Sequence, residues 1–206
     1  ITTKIAYLIQ ECGISASKIV AVTFTNKAAR EMKERASKLV QGAEARGFTV
    51  STFYNLGLNI LRREMEHFGL KKGFSIFDAD DSKSLIGELL HRENASDKID
   101  LIRNLVSGFK NQLISPEEAV NKAENDGELL AAKIYEVYNR HLRAYNAVDF
   151  DDLILLPTIG FRDNQELRER WQNRIHYLLV DEYQDTNSAQ YLLVKLLVGT
   201  RGALTA

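Results

Sequence analysis

Cysteine is almost absent from this chain, and so is any long apolar run. The 206 residues include a single cysteine, Cys12, which excludes an internal disulfide bond and a zinc site built from several cysteines. No stretch has the length and apolar character of a transmembrane helix, and no signal-peptide pattern is visible. A lone cysteine fits a reducing compartment, so we expect a cytoplasmic protein.

A net charge of one sign is also lacking, because 27 Lys and Arg residues oppose 28 Asp and Glu residues and give a formal charge of −1. The balance is uneven along the chain. Residues 1–68 hold 10 basic and 6 acidic side chains, whereas residues 69–147 hold 11 and 13 and residues 148–206 hold 6 and 9. Overall charge therefore does not indicate a nucleic-acid-binding protein, and any such surface must be local.

Several arrangements that carry chemistry are missing too. The sequence has no Gly-x-x-x-x-Gly-Lys-Ser/Thr string, the loop whose backbone N–H groups and lysine hold nucleotide phosphates. It suggests no triad of nucleophile, histidine and acid, and it contains no internal repeat or low-complexity segment. The four histidines show no metal-ligand spacing, and we expect surface or packing roles for His67, His91, His141 and His176.

The first third of the chain alternates between helical and strand patterns. The strand patterns are short β-branched or aromatic runs at Lys18–Thr23 and Phe48–Thr52. The helical patterns cover residues 1–12, a segment that Thr25 or Asn26 can cap, and residues from about Phe53 to Phe68. Helices and strands in alternation predict a parallel α/β sheet.

The middle of the chain differs, because no convincing strand is predicted from Phe74 to Asn146. Helices are predicted there at Asp81–His91, Ile99–Asn111, Pro116–Ala123 and Glu128–Tyr145. An all-helical block within an α/β pattern indicates an inserted subdomain. We therefore divide the chain into residues 1–68, 69–147 and 148–206.

The α/β pattern resumes after the helical block. We predict helices that open at Val148, with Asp149 as the cap, and that cover Asn164–Asn173 and Asn187–Val198, with strands at Tyr177–Val180 and Arg201–Ala206. The run Asp149-Phe-Asp-Asp-Leu153 places three acids within four residues, which could suggest a metal site. Mutual repulsion without an ion favours capping and structural roles for these acids instead.

Two adjacent carboxylates, Asp181 and Glu182, follow directly after the apolar run Tyr177–Val180. Ligands of open α/β sheets bind at the carboxyl ends of the strands. An acid at that position can hold Mg²⁺ through water, and the next acid can polarise a water for attack on a phosphate. For the dipeptide alone, a strand followed by an acidic turn is the better explanation, so the functional interpretation depends on the surrounding string.

Phe24 stands at the end of a predicted strand and at the start of a predicted helix. An exposed aromatic ring at such a place can stack on a nucleic-acid base, and the backbone N–H groups of the helix start can hold a phosphate. The alternative is that Phe24 belongs to the core and that Thr25 only caps the helix.

Three strings, in the expected order, resemble motifs of one family. Val180-Asp-Glu-Tyr-Gln-Asp-Thr-Asn187 is similar to the Walker B motif (motif II) of superfamily 1 DNA helicases of the Rep/UvrD (PcrA) type, and within that type to the Rep branch. Thr23-Phe-Thr-Asn-Lys-Ala-Ala-Arg-Glu-Met32 resembles motif Ia, and Ser51-Thr-Phe-Tyr54 resembles motif Ib. The family commonly has histidine where this chain has Tyr54, which can stack or donate one hydrogen bond but carries no positive charge.

The resemblance implies a RecA-like P-loop NTPase sheet (subdomain 1A) with an inserted helical subdomain (1B). It implies that Asp181 holds Mg²⁺ through water, that Glu182 is the base for the attacking water, and that Gln184 senses the γ-phosphate or couples it to DNA. Asp185 can be a structural partner or a helix cap. The implied DNA contacts are Phe24, Thr25, Asn26, Thr52, Tyr54, Arg62 and Asn187.

The family's phosphate-binding loop would end just before the segment that matches Ile1–Lys4, and its next motif would begin just after Ala206. We therefore expect a piece of a longer 3′→5′ helicase. The intact parent would use ATP and Mg²⁺ and act on single-stranded DNA and on junctions between single and double strands, together with its remaining domains. The piece alone would bind no cofactor tightly and would be inactive. The alternatives are a non-catalytic helicase-like DNA-binding module and the motor part of a helicase–nuclease.

Overall fold

The computed structural model describes residues 1–40, 42 and 47–206. The helices are α1 (Thr2–Gln10), α2 (Asn26–Leu39), α3 (Phe53–Arg63), α4 (Ala79–Arg92), α5 (Ile99–Asn111), α6 (Pro116–Lys122), α7 (Asp126–Ala144), α8 (Asp152–Asp163), α9 (Gln165–Arg174) and α10 (Ser188–Val198). The strands are β1 (Ile19–Thr23), β2 (Thr49–Thr52), β3 (Ser75–Phe77), β4 (Ala147–Asp149), β5 (Tyr177–Val180) and β6 (Leu204–Thr205). Within this described part of the chain, no helix has both the length and the apolar character needed to cross a membrane.

The chain folds into two compact units. The first comprises Ile1–Asn59, Thr158–Thr186 and Gln190–Ala206, and the second comprises Ile60–Pro157 and Asn187–Ala189. The division of the sequence into subdomains at residues 68 and 147 stays a prediction.

A parallel sheet forms the centre of the first unit, as the alternating pattern predicts. Its strand order is β2-β1-β5-β6, and every pair in it is parallel. β1 is buried along its whole length, as expected for a β-branched strand with a neighbour on each side. Its register aligns Val22 with both Ser51 and Val180, so β1, β2 and β5 end at the same edge.

Helices α1 and α2 cover the sheet of the first unit with apolar side chains. Ile5, Leu8 and Ile9 of α1 and Met32 and Ala36 of α2 are buried in one cluster with residues of β1 and β5. Because α2 repeats its apolar residues at helical spacing, its polar face remains in water. The packing therefore fixes where α2 begins, beside the end of β1.

The core of the second unit lies among α4, α5 and α7. These helices contribute apolar residues at spacings of three and four, among them Leu85, Leu89, Ile102, Val106, Ile134 and Tyr138. The start of α6 follows the predicted signals, because Ser115 Oγ accepts from Glu118 N and the Glu118 carboxylate accepts from Ser115 N. This capping box, with Pro116 at the first position, explains why a helix of seven residues forms there.

Two predictions for this part of the chain are wrong. β3 lies within the stretch where no strand is predicted, and it pairs in parallel with β4, aligning Ser75 with Ala147 and Phe77 with Asp149. The helix predicted to open at Val148 therefore begins only at Asp152, as α8, because Ala147–Asp149 form β4. Strands of three residues are too short to show an alternating pattern, so only the pairing of two distant segments defines them.

Candidate functional site

One edge of the first unit's sheet gathers the side chains that the sequence nominates. Parallel pairing sets Thr23 beside Thr52, while Val180 lies beside Val22 on the other side of β1. The residues that follow these strands, Phe24 and Asp181 among them, therefore emerge at the same edge. This is the position at which open α/β sheets bind their ligands.

Asp181 and Glu182 have different surroundings although they are neighbours. Asp181 N donates to Val22 O at 2.9 Å, which extends the ladder between β1 and β5 by one residue and holds Asp181 at the sheet edge. Glu182 is exposed, and its backbone is left-handed with φ 53° and ψ 44°. The Glu182 carboxylate accepts a hydrogen bond from Gln184 Nε2. The pair thus consists of one residue whose backbone is anchored to the sheet and one residue at a tight turn.

The carboxylate of Asp181 is the kind of ligand that a hydrated magnesium ion takes at a sheet edge. Among residues 1–40, 42 and 47–206, no group of three or more His, Cys, Asp and Glu side chains could hold a metal. Mg²⁺ keeps several waters and often takes one or two carboxylates together with phosphate oxygens. Asp181 can supply such a carboxylate.

Phe24 is half-buried at the end of β1 and is partly a core residue. Its ring packs against the buried ring of Phe53, with centroids 5.4 Å apart and planes tilted by 51°. Thr25 caps α2 through its Oγ1, which accepts from Ala28 N at 3.1 Å. The capping role expected as the alternative for Thr25 is therefore present, and it fixes the start of α2 beside the Phe24 ring.

The start of α3 is joined to the start of α2 by two asparagines. Asn55 Nδ2 donates to Asn26 Oδ1 at 3.2 Å, and Asn55 N donates to Thr52 Oγ1 at 3.2 Å. Thr52 is 4% exposed, so its side chain mainly holds the first turn of α3, whereas Tyr54 is 40% exposed. Asn55 is not among the residues nominated from the sequence, although its place three residues after a threonine at a helix start is a usable signal.

Most of the nominated residues belong to the first unit. Phe24, Thr25, Asn26, Thr52 and Tyr54 follow or end β1 and β2, and Asp181, Glu182 and Gln184 follow β5, all within the first unit. Arg62, exposed in the last turn of α3, and Asn187, half-buried before α10, belong to the second unit.

The second unit contains a buried charge network that the sequence analysis missed. The Lys110 ammonium group is fully buried and donates to Asp149 Oδ2 and Asp152 Oδ1, both at 2.8 Å. Tyr138 OH also donates to Asp149 Oδ2, at 2.9 Å. Burial alone would lower the pKa of Lys110, but the carboxylates of Asp152 and Asp149 raise it above its ordinary value. Lys110 therefore stays charged inside the protein.

A sequence signal for Lys110 exists in the spacing of α5. Ile102, Val106 and Lys110 are the buried residues of that helix, so the lysine takes the place of an apolar residue in the stripe. The structural interpretation is confirmed for Asp149 and Asp152, because Asp152 N donates to Asp149 Oδ1 at 2.9 Å and Asp149 N donates to Asp152 Oδ2 at 3.2 Å.

Two carboxylates share one ammonium group in this network, which makes stability depend on pH. Burial and the Asp149 carboxylate raise the pKa of Asp152 from 3.8 to about 6. Between pH 3.8 and about 6, Asp152 holds its proton more tightly in the folded chain than in the unfolded chain. The contribution of Asp152 to the unfolding free energy therefore falls as pH rises. We expect wild type to lose about 2 kcal/mol relative to Asp152→Asn between pH 4.5 and 7, measured by urea unfolding. Parallel profiles for the two proteins would contradict this expectation.

Comparison with known proteins gives one family. The sequence profile of the UvrD/REP helicase N-terminal domain matches residues 1–206. The chain is 51% identical over 208 residues to the ATP-dependent DNA helicase Rep of Escherichia coli (strain K12), covering 100% of this chain and 31% of that protein. It is 43% identical over 200 residues to the ATP-dependent DNA helicase PcrA of Staphylococcus aureus (strain Mu50), covering 96% of this chain and 27% of the relative. The chain thus spans about a third or less of the length of these relatives.

Proposed function

The chain belongs to the UvrD/REP helicase N-terminal domain family, and we propose that it is part of an ATP-dependent helicase that moves 3′→5′ along single-stranded DNA and opens duplexes. The observation that carries this proposal is the shared edge of β1, β2 and β5, where the acid pair and the nominated DNA contacts follow adjacent strands. ATP hydrolysis and DNA contact would then take place at neighbouring points of one rigid sheet.

We assign Asp181 and Glu182 to ATP hydrolysis. Asp181, held by the sheet ladder, would bind Mg²⁺ through water, and the ion would neutralise charge on the phosphates. Glu182 would accept the proton of the attacking water. Gln184, which donates to the Glu182 carboxylate, would sense the γ-phosphate or couple it to DNA.

We assign the starts of α2 and α3 to DNA. The Phe24 ring, supported by the Phe53 ring behind it, would stack on a base, and Thr25, Asn26, Thr52 and Tyr54 would contact the strand beside it. Arg62, an exposed residue of α3, would bind a phosphate. Base stacking and phosphate contacts tolerate any sequence, so we expect little sequence preference.

The remaining proposals concern the chain as a part of a larger protein. Residues up to about 68 and from about 148 would form subdomain 1A, and residues 69–147 would form subdomain 1B. The 206 residues lack the Gly-x-x-x-x-Gly-Lys-Ser/Thr string, so we propose that they do not hydrolyse ATP alone. Activity would require the whole helicase with its other domains, located in the cytoplasm.

Replacing Phe24 by alanine in the whole helicase tests the DNA assignment. We expect the affinity for labelled oligo(dT), measured by fluorescence anisotropy, to fall roughly five-fold or more, because one stacked base is lost. ATPase activity without DNA should stay unchanged. Tyr7→Ala is the matched control, since Tyr7 is 51% exposed on α1 in the same unit.

The outcomes of this test separate the function from the role of the residue. Unchanged affinity in Phe24→Ala would remove Phe24 from the DNA contacts. If the whole protein binds single-stranded DNA but does not hydrolyse ATP, the proposed helicase function is wrong, and the chain is part of a non-catalytic DNA-binding module.

A further inference from the structure

A tyrosine of α10 packs against the turn that carries Glu182. The ring of Tyr191 lies beside the ring of Tyr183, the residue after Glu182, with centroids 5.9 Å apart and planes inclined by 31°. Aromatic pairs at such separations attract each other beyond the effect of the apolar area that they bury. Both tyrosines belong to the first unit, so the pair connects α10 of that unit to the neighbour of the proposed base.

Backbone hydrogen bonds close the turn after Glu182. Asp185 N donates to Glu182 O at 2.9 Å, and Tyr183 O accepts from Thr186 N at 3.2 Å and from Thr186 Oγ1 at 2.8 Å. Within this turn Glu182 has a left-handed backbone, with φ 53°, which is unfavourable for a residue with a side chain. Such a conformation persists where the surrounding structure holds it, and it occurs preferentially at active sites. Contacts that hold the turn therefore also hold Glu182.

Tyr191 can hold the turn because α10 is itself fixed. Leu193, Val194 and Leu197 of that helix are 0%, 1% and 1% exposed, so the packed core holds the helix in place. Tyr191 is 45% exposed, and Lys195 Nζ lies 5.5 Å from the centroid of its ring. A cation over an aromatic face is attracted to it. The Tyr191 ring is thus held from α10 as well as by its contact with the turn.

We propose that Tyr191 is a positioning residue, which acts through the Tyr183 ring to hold the Glu182 carboxylate in place for catalysis. This inference rests on the proposed function, in which Glu182 accepts the proton of the attacking water. A base must lie within hydrogen-bond reach of the proton that it takes, and a misplaced catalytic group lowers the rate of the chemical step. Without the Tyr191 ring, the turn would also populate conformations in which the carboxylate points elsewhere.

The test uses the whole helicase with Tyr191→Ala, measured as steady-state ATPase with saturating oligo(dT). The attraction within an aromatic pair corresponds to roughly a three- to ten-fold change in an equilibrium, so we expect kcat to fall by about that factor. The KM for ATP should stay at the wild-type value, because the lost contact orients the base and does not bind the nucleotide. Tyr191→Phe keeps the ring and should keep the wild-type kcat.

Coupling to Glu182 separates positioning from a general structural role. In a Glu182→Gln background the proposed base is already lost, so adding Tyr191→Ala should not reduce the remaining turnover further. A residue that only stabilises the fold would lower turnover by the same factor in both backgrounds.

Tyr7 supplies the matched control in the same unit. Tyr7 is 51% exposed on α1, and Lys4 Nζ lies 5.1 Å from the centroid of its ring. Tyr7→Ala therefore also removes an exposed ring and its contact with a lysine, and it should leave kcat at the wild-type value.

Three results would overturn the inference alone, given a Glu182→Gln variant that has lost turnover. These are a Tyr191→Ala variant that behaves like Tyr7→Ala, a Tyr191→Phe variant that loses as much kcat as Tyr191→Ala, and an equal further loss when Tyr191→Ala is added to Glu182→Gln. A Glu182→Gln variant that hydrolyses ATP near the wild-type rate would overturn the assignment of the base, and this inference with it.

Discussion

Replacing Glu182 by glutamine in the whole helicase is expected to reduce ATP turnover by about 10²- to 10⁴-fold. Glutamine has the size of glutamate and can still pair with Gln184, which contacts the Glu182 carboxylate, but it cannot accept a proton. Because Glu182 is exposed, the change should leave the fold intact. Affinity for single-stranded DNA should also stay unchanged, since stacking and phosphate contacts do not involve this side chain.

The measurement is steady-state ATPase with saturating oligo(dT), with DNA affinity measured in parallel. Glu34→Gln is the matched control, because Glu34 is an exposed carboxylate on α2 in the same unit and is not part of the proposed machinery. Turnover near the wild-type rate in Glu182→Gln would refute the assignment of the base. Asp181→Ala should also abolish turnover, because the carboxylate that would hold Mg²⁺ is lost.

Replacing Lys110 by methionine is expected to lower the unfolding free energy by roughly 3–5 kcal/mol. Methionine matches the volume of the lysine stem, so the loss comes from charge and not from packing. Asp149 and Asp152, which are 7% and 9% exposed in their side chains, would lose the cation that offsets the cost of keeping them from water. Urea unfolding followed by far-UV circular dichroism is the suitable measurement, because the single tryptophan, Trp171, lies in the first unit.

Lys83→Met supplies the comparison. Lys83 Nζ lies 3.0 Å from Asp100 Oδ1, but these side chains are 46% and 65% exposed, so the loss should be under about 1 kcal/mol. Combining Lys110→Met with Asp149→Asn and Asp152→Asn should recover part of the stability, because neutral side chains remove the unpaired charges. If Lys110→Met and Lys83→Met lowered the unfolding free energy equally, burial would not explain the effect of Lys110→Met.

The elements that could be predicted from the sequence carry their signals locally. β5 matches its prediction at both ends, because an apolar run is bounded by polar residues, and α5 matches from Ile99 to Asn111. Four consecutive residues predict the start of α6: a cap, a proline and two acids. The shared edge of the sheet follows from the parallel pattern alone, since parallel strands bring their carboxyl ends to one side.

The features that could not be predicted depend on distant partners. Lys110 binds Asp149, 39 positions away in the sequence, and Asp152, 42 positions away. The residues near Lys110 in the sequence do not indicate that it pairs with either acid. β3 exists only because β4 lies beside it. The contact between Asn26 and Asn55 likewise requires the sheet to be assembled first. The roles assigned to the site residues stay predictions, because they concern ligands and not the fold.

The left-handed backbone at Glu182 and the proposed need for a carboxylate at this position favour different residues. Residues with a Cβ atom are disfavoured there, whereas glycine adopts this conformation freely. Glycine would thus suit the turn better, yet it offers no carboxylate to accept a proton. If Glu182 is the base, the protein keeps a residue that its own backbone disfavours. Position 182 then shows a trade-off between stability and activity, because glycine would relieve the backbone but would remove the proposed base.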